Sequence, residues 1–421
     1  MNKTFKEDGG ITLAIGDIIV GVDIGTSKVS LVVGEVNNFN QIEVICNTMY
    51  KCDGIKKTKI VDEEEIALAI SKAVDEAENE SELKINSAYV TLPGKFVTIV
   101  QNSIVKEAKD KYAGISAKDV LSGIMQVRDV EIPEGMTMID IVTDSFVLDD
   151  GKIVVDPIGS LSSHFTLNAQ IILADKDYIK QITNIFKKAG LEINGFVPVT
   201  LAERNVMLDT NELTDNVMLL DIGAGNTEIG IFESNGYLYT NTIPLGGKNI
   251  TSDISLVLNI SEEEAEKLKK QCGLAMKSYI DNDNEIILNT YSGDENVKSI
   301  KSSELIEIIE ARIAEIFEFV NKDITQKGIK TKINNVVLTG QGVASINKSD
   351  VVAKVALNIP VKIATGRYIS TVRPDFRTAY SLIRYVASRP FAKSVASSVD
   401  YNSKEGILHN IFERIKEFFY S

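Results

Sequence analysis

The stretch IIVGVDIGTSKVSLVVGEV, residues 18–36, decides how the chain is read. Its two ends are apolar enough for buried strands, yet Asp23, Gly25, Thr26, Ser27 and Lys28 interrupt them before the run resumes as Val29 to Val33. A strand that ends in a carboxylate and then glycine can turn tightly and aim its backbone N–H groups outward, a geometry that suits a phosphate oxygen. Thr26, Ser27 and Lys28 add side-chain donors. One such turn is also what a purely structural hairpin looks like. A second copy weighs against that: in NVMLLDIGAGNTEIGIF, residues 216–232, Asp221, Ile222 and Gly223 fall on Asp23, Ile24 and Gly25, 221 − 23 = 198 residues further on. Gly225 and Thr227 follow at the second turn. Two hairpins of this kind facing each other make a phosphate clamp. Asp23 and Asp221 would repel a bound polyphosphate, by roughly 1 kcal/mol per pair of unit charges at about 4 Å in water. The pair therefore implies a cation, and a Mg²⁺ that keeps several of its waters fits.

Around these motifs the chain alternates strands and helices. DEEEIALAISKAVDEAEN places Ile66, Ile70, Val74 and Ala77 on one helical face. DKDYIKQITNIFKKAGL predicts an amphipathic helix stopped by Gly190, and KSSELIEIIEARIAEIFEFVNKDI a long one. INSAYVTLPGKFVTIVQNSIV reads as strands with a turn at Pro93 and Gly94, opening a stretch to about residue 164 that suits a separate small unit. INNVVLTGQGVASI is a late strand with its own glycine turn, and TIPLGGKNITSDI suits a helix start capped by Thr251 or Ser252.

Composition narrows the class. At 421 residues the chain suits two or three domains, and 44% apolar with 25% charged residues marks it as globular. A net charge of −14 argues against broad electrostatic binding of nucleic acid, so an anionic ligand must be held locally. Cys46, Cys52 and Cys272 show no metal or redox spacing, which reads as a reduced, intracellular chain. His164 and His409 are the only histidines, so a histidine metal site is not expected. Neither a signal peptide nor a membrane span is legible near the N-terminus.

These residues carry a resemblance. VGVDIGTSKVSLVVGEV, LLDIGAGNTEIGIF and VVLTGQGVASI resemble the two phosphate motifs and the adenosine motif of the actin-like ATPase superfamily. From about residue 18 onward the chain resembles the FtsA family of bacterial cell-division proteins more closely. DGIKKTKIVDEEEIALAISKAVDEAE, VDPIGSL, TIPLGGKNITSDISLVL, EEAEKLKKQCGLA and IIEARIAEIF match it in order and spacing.

The resemblance implies an α/β, actin-like, two-lobed ATPase fold of duplicated ribonuclease-H-like domains, with an FtsA-type inserted subdomain and a C-terminal amphipathic helix. After an extension at 1–17, the first lobe would take 18–84 and 165–197, interrupted by the inserted subdomain at 85–164. The second lobe would take 198–235 and 306–370 around a small subdomain at 236–305, with 371–388 returning to the first lobe. It implies ATP with Mg²⁺ held through water by Asp23 and Asp221, a first phosphate loop of Gly25, Thr26, Ser27 and Lys28, and a second of Gly223, Ala224, Gly225, Asn226 and Thr227. Gly246 and Gly247 would line the cleft, Glu266 and Lys269 reach the ribose and base, and Gly340, Gln341 and Gly342 pack on the adenosine. The partners implied are the tubulin-like protein FtsZ, met by 236–305, further copies of the chain, membrane lipid, and later division proteins through the inserted subdomain. The place implied is the inner face of the cell membrane at the division septum.

The chain departs from the family pattern with Glu228 after Thr227, where aspartate is usual, with Gln341 after Gly340, where glycine is usual, and with SLSSHF after VDPIG. No residue identifies itself as a base that activates water, so the expected activity is at most that of a slow ATPase. Two other readings share the opening D-x-G-T or the fold. A small-molecule kinase needs a base for its acceptor hydroxyl and has no use for a lipid-seeking tail, and an actin-like pilus-assembly protein lacks the inserted-subdomain match.

The tail has its own physics. PFAKSVASSVDYNSKEG, within 389–406, reads as a flexible linker, and 407–421 as a helix with Ile407, Leu408, Ile411, Phe412, Ile415, Phe418 and Phe419 on one face. Seven such side chains, at roughly 1.5–3 kcal/mol each when fully buried, set a gross upper bound on the order of 10–20 kcal/mol for membrane attachment. Glu413, Arg414, Lys416 and Glu417 cancel, so attachment is expected to run on apolar burial with weak salt sensitivity. The linker spans roughly 20–25 Å, beyond the Debye length of about 8 Å, which keeps the acidic body clear of an acidic membrane.

Overall fold

The computed structural model describes residues 16–37, 41–109, 114–233, 236–288, 298–366 and 372–388. The expected linker at 389–406 and amphipathic helix at 407–421 lie outside the described residues, as does all but the end of the 1–17 extension.

The opening stretch folds as an antiparallel hairpin of β1 (Ile18–Ile24) and β2 (Lys28–Val36), with Asp23 opposite Ser30. Alternate and consecutive apolar residues here are buried on both faces, Val22, Val29, Leu31 and Val33 completely. β3 (Ile42–Lys51) extends the hairpin, and a short hairpin of β4 (Ile55–Lys56) and β5 (Lys59–Ile60) leads into α1 (Glu63–Ser81). Asp62 caps α1 by accepting the Glu65 N–H at 2.9 Å, satisfying a donor that helix geometry leaves free, and Ile66, Ile70, Val74 and Ala77 face the core. β6 (Ser87–Leu92) then pairs parallel to β1.

A turn at Gly94–Phe96 opens the inserted unit: β7 (Val97–Glu107), α2 (Ala117–Val127), β8 (Met136–Leu148), β9 (Ile153–Val154) and β10 (His164–Asp175). Its four strands form a separate sheet in the order β7-β10-β8-β9, with a core of its own around Val120, Phe146, Phe165 and Leu167. The expected bounds of 85–164 are therefore corrected. β6 belongs to the first-lobe sheet, and β10 runs on to Asp175. Two apolar strands separated only by Pro93 and Gly94 gave pattern reading no reason to divide there. α3 (Lys176–Lys188) and β11 (Glu192–Pro198) complete the lobe.

α4 (Val199–Met207) leads to the second lobe, where the plan repeats. There follow β12 (Val217–Ile222), β13 (Thr227–Glu233), β14 (Gly236–Ile243), α5 (Gly247–Leu258), α6 (Glu262–Cys272), β15 (Glu285–Leu288), β16 (Lys298–Lys301), α7 (Ser302–Gln326), β17 (Asn335–Thr339), α8 (Ser349–Leu357) and β18 (Val361–Ile363). The first sheet runs β3-β2-β1-β6-β11 and the second β14-β13-β12-β17-β18. In each, the first three strands are antiparallel and the next two join parallel to the first. The duplication suggested by two D-I-G turns thus extends to whole sheets. The bounds 236–305 also need correction, because β14 is a strand of the second sheet and α7 begins at Ser302; the smaller unit is α5, α6 and the β15–β16 pair.

α9 (Arg377–Ser388) packs back on the first lobe, where Leu382 and Ile383 are buried. Its seat explains two glycines: a Cβ on Gly21 would stand 2.7 Å from Ile383 Cγ2, and one on Gly34 2.8 Å from Ile383 Cδ1.

Candidate functional site

The two turns have the same local hydrogen bond. Gly25 N–H donates to the Lys28 carbonyl and Gly223 N–H to the Asn226 carbonyl, both at 2.9 Å. Their tips meet between the lobes, since a Cβ on Gly225 would lie 2.7 Å from Thr26 Oγ1. The second turn is braced from behind by the Gly247 N–H on the Gly223 carbonyl (3.0 Å), the Lys248 N–H on the Ala224 carbonyl (2.6 Å) and the Gly342 N–H on the Ile222 carbonyl (2.7 Å). That brace requires glycine. A Cβ on Gly342 would stand 2.2 Å from the Gly223 carbonyl oxygen, and Gly340, at φ +94°, would bring one to 2.3 Å from Asp221 Oδ1. Gly340 and Gly342 therefore seat the second turn, while Gln341 between them is exposed and donates to Asp375 Oδ1 at 3.3 Å.

Behind the turns the cleft floor is acidic. Burial lifts the Asp221 carboxyl to about 7, with Asp23 adding to the lift against the pull of Arg377 and Lys28. Asp23 is also raised by burial, opposed by a 2.7 Å hydrogen bond from Thr91 Oγ1 and by Lys28. Two further carboxylates feel both aspartates. Glu228 is lifted to about 8, chiefly by burial, and its Oε2 accepts the Gly94 N–H (2.9 Å) and Thr242 Oγ1 (2.8 Å), joining the lobes. Glu203 on α4 is lifted well above the carboxylate range by burial and Asp221; one oxygen accepts from Thr378 Oγ1 at 2.9 Å and the other is buried without a partner among the described residues. Two buried carboxyls behind two half-buried ones favour protons or a cation.

A hydrated cation fits that floor. The Asn226 side-chain oxygen is buried at the second turn with no hydrogen-bond partner among the described residues, leaving an acceptor for a bound water. No group of three or more His, Cys, Asp or Glu among the described residues is arranged to grip a metal directly. Two acidic acceptors and one amide oxygen suit water-mediated holding.

Other expected residues take varied places. Lys28 pairs with Asp375 Oδ1 at 2.5 Å, and the Ser27 carbonyl accepts the Cys52 N–H at 3.1 Å. The Thr227 side chain is fully buried and donates to the Leu245 carbonyl at 2.8 Å, anchoring the second loop. The helix-cap reading of Thr251 or Ser252 is corrected. α5 starts at Gly247, with the Gly246 N–H taken by Asn249 Oδ1 at 2.9 Å, and Thr251 lies inside the helix. Glu266 and Lys269 on α6 converge on that first turn. The Lys269 ammonium donates to the Gly247 carbonyl (3.1 Å) and Thr251 Oγ1 (2.8 Å) and pairs with Glu266 Oε2 at 2.6 Å. Burial pulls its pKa below the usual lysine range, with Glu266 opposing.

Sequence reading missed Glu203, Thr91, Thr378 and Asp375. Glu203 left a signal: on α4 it occupies the inward position four residues after Val199, where an apolar side chain belongs. The others carry none, being brought in from a distant strand, a turn and the start of α9.

Comparison with known proteins follows the same geometry. A family model described as "Cell division protein FtsA" matches residues 218–381, and one described as "SHS2 domain inserted in FTSA" matches residues 94–173, spanning the separate sheet. Among solved structures, the PilM–PilN type IV pilus biogenesis complex aligns with a TM-score of 0.55 at 14% identity, covering 87% of this chain and 98% of that one. MreB5 of Spiroplasma citri bound to ADP aligns at 0.52 and 16% identity, covering 92% and 99%. These likenesses show an actin-like fold. The cell division protein FtsA of Escherichia coli (strain K12) is 25% identical over 87% of this chain and 90% of its own, and that of Borreliella burgdorferi 28% over 88% and 91%. FtsA of Bacillus subtilis (strain 168) is 31% identical over 369 residues, covering 88% of this chain and 83% of the relative. With that identity over nearly its whole length, and the inserted sheet in place, the chain belongs to the FtsA family of cell-division proteins.

Proposed function

We propose that this FtsA-family chain binds ATP with Mg²⁺ between its lobes, associates with copies of itself, and tethers FtsZ filaments to the inner face of the membrane through its C-terminal helix. The observation that carries the nucleotide reading is the meeting of the two glycine turns, Gly25–Ser27 and Gly223–Asn226, above the half-buried Asp23 and Asp221. Backbone N–H groups at the turns would take the phosphate oxygens, and Asp23, Asp221 and Asn226 would hold a hydrated Mg²⁺ that neutralises the phosphates. Solved relatives in the fold support this, as MreB5 of Spiroplasma citri was captured with ADP and with AMPPNP.

At the nucleoside end, Glu266 and Lys269 stand beside the first turn of α5, where the resemblance places ribose and base. Closure is read from the lobe-spanning bonds of Glu228, which nucleotide held at both turns would favour. No side chain is assigned as a base, so turnover is at most slow. Among the described residues no helix is long and apolar enough to cross a membrane, and the proposed anchor is the segment 407–421.

The test mixes purified chain, liposomes, ATP·Mg²⁺ and FtsZ, and follows FtsZ in the sedimented lipid. Recruitment that needs the chain is expected, and a variant ending at Gly406 should still bind ATP but leave FtsZ and itself in the supernatant. Sedimentation of the shortened chain at the full-length level would refute the anchor.

A further inference from the structure

We propose that Lys248 is the cation that positions the terminal phosphate in this cleft, and that Asp53 is its resting partner, released when the phosphate arrives. This rests on the nucleotide reading above and adds a residue and an exchange to it.

Lys248 is the second residue of α5, and its position relative to the second turn is set by the backbone. Its N–H donates to the Ala224 carbonyl at 2.6 Å. Its side chain crosses to the other lobe, where the ammonium donates to the Thr26 carbonyl at 3.2 Å and pairs with Asp53 Oδ1 at 3.1 Å. One residue thus reaches from the second phosphate turn to the tip of the first, beside the point where Gly225 meets Thr26.

The other lysines near the cleft are differently committed. Lys28 is paired with Asp375, and Lys269 is buried among the Gly247 carbonyl, Thr251 and Glu266. Lys248 and Asp53 are about half exposed, 52% and 44% by side chain, so water screens their attraction and the pair is easily exchanged. Asp53 also has a second cation to turn to, with Lys51 Nζ at 3.5 Å from its Oδ2. A phosphate bearing more than one negative charge attracts the ammonium more strongly than one carboxylate does, and a charge-assisted hydrogen bond forms in its place. In a chain of net charge −14, a cation fixed at the turns is the local means of drawing in a polyanion.

The exchange makes a signed prediction. Lys248→Ala is expected to weaken ATP·Mg²⁺ binding by about tenfold or more and ADP·Mg²⁺ binding less, with Lys248→Arg restoring most of the loss. Asp53→Asn, by removing the competitor, is expected to tighten ATP·Mg²⁺ binding by about two- to fivefold and to have no effect in a Lys248→Ala background. Calorimetric titration of the full-length chain and the four variants with each nucleotide reads all of this, with circular dichroism checking that each variant is folded. Wild-type binding with Lys248→Ala within twofold of it for ATP overturns the role of Lys248 and leaves the nucleotide site standing. Weaker binding by Asp53→Asn, matching Lys248→Ala, overturns the exchange and makes the pair a tie between lobes. No binding by the wild type overturns the site and this role together.

Discussion

Gly340→Ala separates the physical causes that converge on the second turn. At φ +94° an alanine carries the left-handed backbone penalty of about 1–2 kcal/mol. Its Cβ would also lie 2.3 Å from both Asp221 Oδ1 and the Ile222 carbonyl oxygen. Neither can withdraw easily: the Ile222 carbonyl already accepts the Gly342 N–H at 2.7 Å, and Asp221 is enclosed on the cleft floor. Overpacking of that kind costs about 1–3 kcal/mol, for a total of about 2–5 kcal/mol. Gly190→Ala is the control, since Gly190 has φ +77° and nothing within 4 Å of where a Cβ would stand. Urea unfolding followed by circular dichroism should therefore show Gly340→Ala less stable than Gly190→Ala by about 1–3 kcal/mol. Calorimetric titration should show ATP·Mg²⁺ binding lost in Gly340→Ala and retained in the control. Equal unfolding midpoints for the two variants, with wild-type nucleotide affinity in both, would refute the argument that glycine here protects the geometry of Asp221.

Two further outcomes are expected. Glu228 holds its proton to about pH 8 in the folded chain but only to about 4.5 when exposed, so its contribution is complete below about pH 4.5 and is lost as pH rises toward 8. Urea midpoints measured across that range should fall less steeply for Glu228→Gln than for the wild type, Asp221 and Glu203 supplying the slope that remains; parallel curves would count against a buried, protonated Glu228. Lys269→Met should destabilise by about 1–3 kcal/mol by removing the buried ammonium that the Glu266 carboxylate and the Gly247 carbonyl share, with only Thr251, and Lys270 at Glu266, left to partner them, and adding Glu266→Gln should recover part of this in an unfolding double-mutant cycle.

Much of the fold was legible because it is written locally. Three-to-four-residue apolar spacing marked α1, α3 and α7, and the paired D-I-G turns marked the two hairpins. The bounds of the inserted unit were not, because β6 and β7 are similar apolar strands and only their partners differ: parallel β1 for one, antiparallel β10 for the other. Strand partnership is a long-range property that a period-two pattern does not encode.

The site divides in the same way. Gly25, Gly223, Asp23 and Asp221 announced themselves by repetition, and the structure brings both turns together. Thr227 carries the same residue type as a phosphate-binding hydroxyl, but the Leu245 carbonyl claims it. Asp53 and Asp375 lie in unremarkable turns, and only the folded chain sets them beside Lys248 and Lys28.

The chain's last described helix also has a mechanical meaning. α9 sits in the recess left by Gly21 and Gly34, directly behind the strands that hold Asp23 and Lys28. The 421 − 388 = 33 residues that follow it leave from that helix, so tension applied to them is delivered to the first lobe through Ile383 and its neighbours. A load on the tail therefore bears first on the back of the Gly25 turn, while the Gly223 turn, across the gap, feels it only through whatever joins the two.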